Sequence, residues 1–411
     1  MTVTTDPATL PGPSGDGAGA TPARGGSRVL AWLGALADAL VVPVLALVTA
    51  LAIGGLVMVF SDPDTLDSWG GFFSHPGQTL SDSWTLVYES YEGLYRSSLG
   101  TQPAIGRSLV EATPLALAGL SVALAFRAGL FNIGGAGQIV IGATCAGWVG
   151  FTWDLPAPLH VPLAVLAGFL GGAVWGGIAG VLKARTGAHE VITTIMLNYI
   201  SFRLLDYALR STAFQRPGRQ DPISKPVAES ARLPDVGIAD ITVHAGLWIA
   251  LAAAVGVWWL LDRSTVGFRL RAVGANPFAS RYAGMSVGGT YVLAMLLAGG
   301  LAGLAGTSNI LGRPSFSLTG GYYAFLGFDA IAVALLGRAN PAGVLGAAFL
   351  FGVLRSGSTG MQAATSTPVD IIVVIQALII LFVAAPALVR GIYRIRAGRG
   401  TGQTFTTSWG A

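Results

Sequence analysis

The side chains able to make and break bonds are sparse in this chain and do not cluster. The four histidines, His75, His160, His189 and His244, are scattered, and the single cysteine, Cys145, can form neither an internal disulfide nor a CxxC motif. A dedicated zinc site needs several such ligands at short spacing, and the sequence offers no metal set. No phosphate loop of the form GxxxxGK followed by Ser or Thr occurs, so the chain does not hydrolyse a nucleotide by that route. Paired carboxylates and nucleophile–base pairs of the kind an intramembrane enzyme needs are also missing. What remains is polar chemistry set into apolar sequence. Glu111, Arg203, Asp206, Asp329 and Arg355 interrupt hydrophobic runs, Asn132 and Gln138 stand among glycines in GLFNIGGAGQIVIG, and Asn198 sits in LNYI. Such groups can bind, orient and pass a polar solute.

The elements that hold them must be membrane helices. Charged residues make up 11% of the 411-residue chain, against about 25% in ordinary soluble domains. So few charges cannot clothe a soluble surface, but they suffice if most of it faces lipid. A spanning helix needs about 20 mostly apolar residues, and ten segments qualify: 39–60, 108–126, 128–150, 161–182, 190–209, 243–261, 288–311, 319–337, 341–357 and 371–389. The expected class is an all-α polytopic membrane protein of about ten transmembrane helices with both termini cytoplasmic. Lysine and arginine set the orientation. Arg127, Lys183, Arg185, Arg263, Arg269, Arg271, Arg281, Arg338, Arg390, Arg394, Arg396 and Arg399 all fall on the side of the termini, so every short loop there is basic. The chain is basic overall, but no basic stripe with interleaved aromatics points to nucleic acid.

Residues 1–34, rich in Thr, Pro, Gly, Ala and Ser, are expected to be a disordered cytoplasmic tail. Residues 35–389 are expected to form the membrane domain and 390–411 a basic cytoplasmic tail. The first apolar run reads as an uncleaved anchor, because it is too long and begins too late for a signal peptide. Outside, 61–107 and 210–242 are long mixed-charge loops that fit either a local fold meeting a partner protein or solvated connectors.

Gly168, Gly172, Gly176 and Gly180 recur every four residues, with Gly299 and Gly303 repeating the device in a later span. A glycine face permits close backbone approach, either inside the bundle or between two subunits. Gly134, Gly135 and Gly137 around Asn132 and Gln138 predict an unwound or bent helix, since each glycine costs about 1 kcal/mol relative to alanine. The stretch GGYYAFLGFDAIAVALLGRANPAG, with Asp329 and an Asn340–Pro341 corner, predicts a second break. Interrupted spans in corresponding positions of two halves point toward a substrate path. On that basis Asn132, Gly134, Gly137, Gln138, Asn198 and Asp329 are candidate path residues, with interhelical hydrogen-bond glue as the competing role of the amides. The cytoplasmic loop 262–287 carries its own signature. Asn276 and Pro277 form an N-cap and first-turn proline pair, and Gly284 stands where a glycine ends a helix. The short helix so predicted, 277–283, places Phe278 and Tyr282 on one face with Arg269, Arg271 and Arg281 around them. It reads as a docking element or as a connector lying on anionic lipid.

In order along 105–388, the stretches IGRSLVEATPLALAGLSVALAFRAGLFNIGGAGQIVIGA, HEVITTIMLNYI, RAVGANPFASRYAGMSV and IAVALLGRANPAG resemble permease subunits of bacterial ATP-binding-cassette (ABC) importers. The likeness is to the nucleoside and simple-sugar type served by a basic-membrane-protein lipoprotein, within the ribose and branched-chain amino acid permease superfamily. The resemblance implies a multi-pass protein of the bacterial plasma membrane. Its partners would be a second homologous permease, a cytoplasmic ATP-binding-cassette ATPase and an extracytoplasmic substrate-binding lipoprotein. ATP and magnesium would belong to the ATPase, with no cofactor on this chain. Arg271, Gly274, Asn276, Ala279, Arg281 and Gly284 match the family's coupling loop, which also takes in Pro277, Phe278 and Tyr282. Asn132, Gly134, Gly137 and Gln138 match its pore-region segment. Ala136 departs from the pattern, because relatives commonly carry a glutamate there, and residues 1–34 and much of 61–92 have no counterpart in it.

The leading expectation is import by alternating access driven by a separate ATPase. The alternative is a proton- or sodium-coupled carrier in which Asp329 and Glu111 titrate.

Overall fold

The computed structural model describes residues 25–237, 241–320 and 324–394. Described residues form the helices α1 (Gly25–Ser61), α2 (Pro63–Gly70), α3 (Pro76–Ser98), α4 (Gln102–Arg127), α5 (Gly135–Thr152), α6 (Ala157–Thr186), α7 (Glu190–Arg210) and α8 (Gly246–Arg263). They continue as α9 (Thr265–Ala275), α10 (Pro277–Tyr282), α11 (Val287–Gly312), α12 (Ala324–Leu336), α13 (Pro341–Thr365), α14 (Asp370–Ala384) and α15 (Pro386–Tyr393). Extended pairing among the described residues is confined to three isolated bridges. Of the two expected tails, residues 1–24 and 395–411 lie outside the described residues, and α1 is already helical from Gly25.

Six helices are long and apolar enough to cross a membrane: α1 from Pro43, α4, α6, α8, α11 and α13. Helices α12 and α14 are apolar but shorter. Nine of the ten expected spans each fall on one helix, α5 and α7 among them; the tenth, 371–389, is corrected, because α14 ends at Ala384 and Ala385, restricted by the following Pro386, breaks the helix before α15. One is shortened at an expected break. Span 128–150 is helical only from Gly135, because Gly129, at φ +72°, closes α4. The Leu130 N–H donates to the Ala125 carbonyl at 3.0 Å, the six-to-one bond of a glycine-ended helix. Among the described residues, span 319–337 contains the 13-residue helix α12, about 20 Å long. Gly321, Tyr322 and Tyr323 of that second break lie outside the described residues.

Packing explains the glycine periodicity. A Cβ on Gly172 would press into the Gly299 carbonyl oxygen and stand 2.7 Å from the Gly303 Cα, so α6 and α11 touch backbone to backbone. Helix α5 joins the same seam through Gly142, which packs on Gly303. The α6 glycine trough is therefore filled within the chain, and the subunit-interface alternative for it is dropped. Helix α4 runs through the core, with Leu115 to Ala125 buried without a break.

The two long connections fold onto the bundle. Within 61–107, α3 lies along α13, where a Cβ on Gly93 would come 2.7 Å from the Gly360 carbonyl oxygen. Segment 211–237 crosses the end of the bundle remote from the basic loops. The Ser224 N–H donates to the Leu318 carbonyl (3.0 Å), the Val227 N–H to Phe316 (2.8 Å) and the Leu233 N–H to Leu311 (2.9 Å). His160 fastens the same cap, with one ring nitrogen 2.8 Å from the Ser230 hydroxyl and the other 3.0 Å from the Val149 carbonyl.

Candidate functional site

Between α4 and α5 the chain travels without helical bonds, so its polar groups need other partners. Side chains supply them. The Asn132 amide donates to the Gln138 carbonyl oxygen at 2.9 Å, and the Gln138 amide donates back to Asn132 at 3.1 Å. The Asn132 oxygen also accepts the Gly134 N–H at 3.1 Å. From α7, the Asn198 oxygen takes the Gly137 N–H at 2.7 Å while its amide donates to the Ile133 carbonyl at 2.9 Å. Asn132, Gln138 and Asn198 are all buried. A Cβ on Gly137 would lie 2.8 Å from the Asn198 oxygen, which is why a glycine stands there. The structure thus brings Asn132, Gly134, Gly137, Gln138 and Asn198 together as a clamp that satisfies an unwound backbone. Their amides are engaged with one another.

The reciprocal pair makes a testable unit. Asn132→Ala or Gln138→Ala leaves a buried carboxamide without its partner, at a cost of about 1–3 kcal/mol. The double variant is expected to cost clearly less than the sum of the singles. Detergent melting curves check this, and additivity within about 0.3–0.5 kcal/mol would count against the pair acting as a unit.

Asp329 belongs to a second constellation. It lies on α12 one half-turn beyond Gly327, whose Cα abuts the start of α5 (a Cβ there would meet the Ala136 nitrogen at 2.5 Å). Arg355 of α13 stands between two carboxylates, with Nη1 3.6 Å from Asp329 Oδ2 and Nε 3.7 Å from Glu111 Oε2. Glu111 of α4 also pairs with Arg313, the residue that follows α11. Two acids and two bases from four separate elements form a neutral network, each side chain about a fifth to a quarter exposed. Opposite charges inside a membrane bundle seek each other, and that rule could have joined Glu111, Asp329 and Arg355 from sequence. Arg313 carried no such signal, because it lies just past a span end. The pair Arg203–Asp206, by contrast, is an exposed i,i+3 contact at 3.4 Å on α7.

Replacing Arg355 by Ala leaves Asp329 without its cation and Glu111 with one instead of two. The expected loss is about 2 kcal/mol, below the 3–5 of a fully buried pair because solvent reaches part of each side chain. Arg355→Ala/Asp329→Asn should recover part of it in thermal unfolding. A single variant as stable as the parent would contradict the network.

The third constellation is the loop 262–287. Asn276 caps α10 by accepting the Ala279 N–H at 3.0 Å, Pro277 opens it, and Gly284, at φ +79°, follows its end. The expected helix 277–283 is thus found as α10. Helix α9 precedes it; Ser264 caps it through the Gly267 N–H at 2.9 Å, and Leu270 and Val273 bury its inner face. Phe278 is 70% and Tyr282 95% exposed, which leaves two bare aromatic rings on a rigid projection. Arg271 pairs with Asp262 at 3.4 Å. Gly274 roots the loop. Its Cα position lies so close to the α4–α5 turn that a Cβ would come 2.5 Å from the Arg127 carbonyl oxygen, and Gly129 faces it from the other side. The Arg127 Nε donates in turn to the Ala339 carbonyl at 3.0 Å, which ties in the α12–α13 turn. The loop therefore grips both interrupted spans by their basic ends, the first through Gly129 and the clamp beyond it.

A model of the family described as branched-chain amino acid transport system, permease component, matches residues 104–384. The chain belongs to that family. Among its relatives, the guanosine ABC transporter permease protein NupP of Bacillus subtilis is 40% identical over 355 residues, covering 85% of this chain and 94% of its own. A nucleoside ABC transporter permease protein of Lactococcus lactis is 38% identical over 312 residues (73% and 84%). A glucose ABC transporter permease protein of Haloferax volcanii is 36% identical over 354 residues (83% and 86%). No solved structure matches. An ABC permease does not draw on a proton or sodium gradient, so the carrier alternative is corrected. Glu111 and Asp329 are ion-paired with arginines, as suits structural charges better than groups that load and release a proton each cycle.

Proposed function

We propose that this permease is one half of the membrane channel of an ATP-driven importer for nucleosides. Its ten spans would be α1, α4 to α8 and α11 to α14, with the basic end cytoplasmic, in a bacterial plasma membrane. The observation that carries the proposal is the rooted, aromatic-tipped α10. Exposed aromatic anchors on a capped helix are the kind of group that dominates protein interfaces. A cytoplasmic ATPase closing on ATP would grip Phe278 and Tyr282, with Arg271 and Arg281 beside them. Its motion would pass through Gly274 and Gly129 to the α4–α5 linker, and through Arg127 and Ala339 to the α12–α13 turn. The two interrupted spans would then move together and exchange outward for inward opening. In this reading the amide clamp and Asp329 border the path and set its shape.

Two permeases of Bacillus subtilis, both named for guanosine, are similar to this chain at 40% and 26% identity. That supports a second, different permease as partner, with an external lipoprotein delivering solute over the cap 211–237. The relatives' names support nucleosides first; the Haloferax relative, named for glucose, supports simple sugars as a second reading. The test uses the whole complex in liposomes with ATP enclosed and the lipoprotein outside. Labelled guanosine is expected to accumulate and to be displaced by other nucleosides but not by glucose. Accumulation of glucose alone would transfer the assignment to sugars.

A further inference from the structure

Along the basic half of the bundle, α6 and α11 leave an open groove of about 540 Å³. Its walls are Val181 and Ala184 of α6 and Val292, Leu293 and Leu296 of α11, and Arg185 stands at its mouth. The groove follows from the glycine seam. Helices that touch backbone to backbone cannot fill their own flank with side chains, and Gly288 and Gly289 at the start of α11 leave the mouth bare. Beside it runs an exposed apolar stripe on α6, Leu166, Leu170, Val174, Ile178 and Val181, at helical spacing.

Charge singles out the occupant. Lys183, two residues before Arg185, is committed to Glu190 at 2.6 Å and to the face of Tyr291. Arg185 is exposed, and among the described residues no carboxylate pairs with it. A cation at the mouth of an apolar slot that continues along two spanning helices matches one amphiphile: an anion on a hydrocarbon chain. A protein surface pressed against this flank would instead have to bury or answer Arg185, and charge is depleted from the cores of such interfaces. Basic pockets between spans on the cytoplasmic side are known to hold anionic lipid headgroups.

We propose that the α6–α11 groove seats one anionic phospholipid of the cytoplasmic leaflet, its phosphate on Arg185 and one acyl chain along Val292 and Leu296. The leaflet rests on the orientation proposed above. The test does not use transport, so it and the importer reading fail separately.

The complete complex is purified in detergent, exposed to phosphatidylglycerol and phosphatidylcholine in equal amounts, and weighed with its retained lipid by native mass spectrometry. Retention of phosphatidylglycerol over phosphatidylcholine by about five-fold is expected, the worth of one interfacial arginine. Arg185→Ala should bring the two lipids to parity, Arg185→Lys should keep most of the preference, and Leu293→Trp, which fills the slot, should release both. Arg185 and Leu293 are exposed, so neither change threatens the fold. Equal retention by the parent complex would overturn the proposal, and so would a preference untouched by Arg185→Ala. Efficient cross-linking of Leu293→Cys to the partner permease in a complex that holds no lipid would also overturn it, and would assign the groove to the subunit interface.

Discussion

Phe278→Ala/Tyr282→Ala is expected to abolish solute uptake and to uncouple the ATPase while the permease remains folded. Phe278 and Tyr282 are both largely exposed, so their removal leaves no buried cavity. Their energy is realised only against a partner. Aromatic anchors at the centre of an interface are worth about 2 kcal/mol or more each, so losing both weakens the grip of the ATPase roughly a thousand-fold. Lipoprotein binding, at the opposite end of the bundle, should not change. The check is a paired measurement of uptake and of lipoprotein-stimulated ATP hydrolysis in the reconstituted complex. Stimulation equal to that of the parent would remove α10 from the coupling role. Disabling the cap by Asn276→Ala should give a milder version of the same defect, since a lost N-cap costs about 1 kcal/mol.

The second large effect lies in the seam. Gly172→Leu has no room to be absorbed. Its Cβ would press on the Gly299 carbonyl and crowd the Gly303 Cα, and both neighbours are backbone that cannot rotate away. Overpacking a well-filled core costs about 1–3 kcal/mol and more where nothing can yield. Here α6 and α11 would have to separate along their whole contact, and α5 with them. The expected outcome is loss of the monodisperse peak in size-exclusion chromatography. Gly256→Leu on α8 serves as the control, because nothing lies within 4 Å of a Cβ at that position. It should leave the peak intact or sharpen it, as a glycine in a helix costs about 1 kcal/mol relative to alanine. Equal behaviour of the two variants would contradict the backbone-to-backbone packing.

Much of this architecture is legible along the chain because lipid imposes simple rules. Apolar length locates the long apolar helices α1, α4, α6, α8, α11 and α13, and glycine density around Asn132 locates the unwound linker before α5. The Asn276–Pro277 and Gly284 signals mark α10 to within a residue of its end. Local chemistry reaches no further than local structure, however. The spacing of Gly168, Gly172, Gly176 and Gly180 announces a close approach but does not say to what, since the partner glycines on α11 lie more than a hundred residues away. For the same reason Asn198, on α7, gives no sign in sequence that it will bond the Gly137 N–H. Helices α3 and α9 hide for another reason. Each makes a one-sided contact, α3 with α13 and α9 with the basic end of the bundle, and neither shows an apolar run of spanning length. Asp329 reads in isolation as a candidate titrating group, and only the arrival of Arg355 from α13 and of Glu111 from α4 turns it into part of a neutral network.

This bundle is expected to move solute only when a separate ATPase pulls on α10. That dependence is tested most directly by following labelled guanosine into liposomes that carry either the permease pair alone or the full complex, with ATP enclosed and the lipoprotein outside. Accumulation above the external concentration is expected for the full complex only, unaffected by a proton ionophore. Uphill accumulation by the permease pair without its ATPase would contradict this dependence.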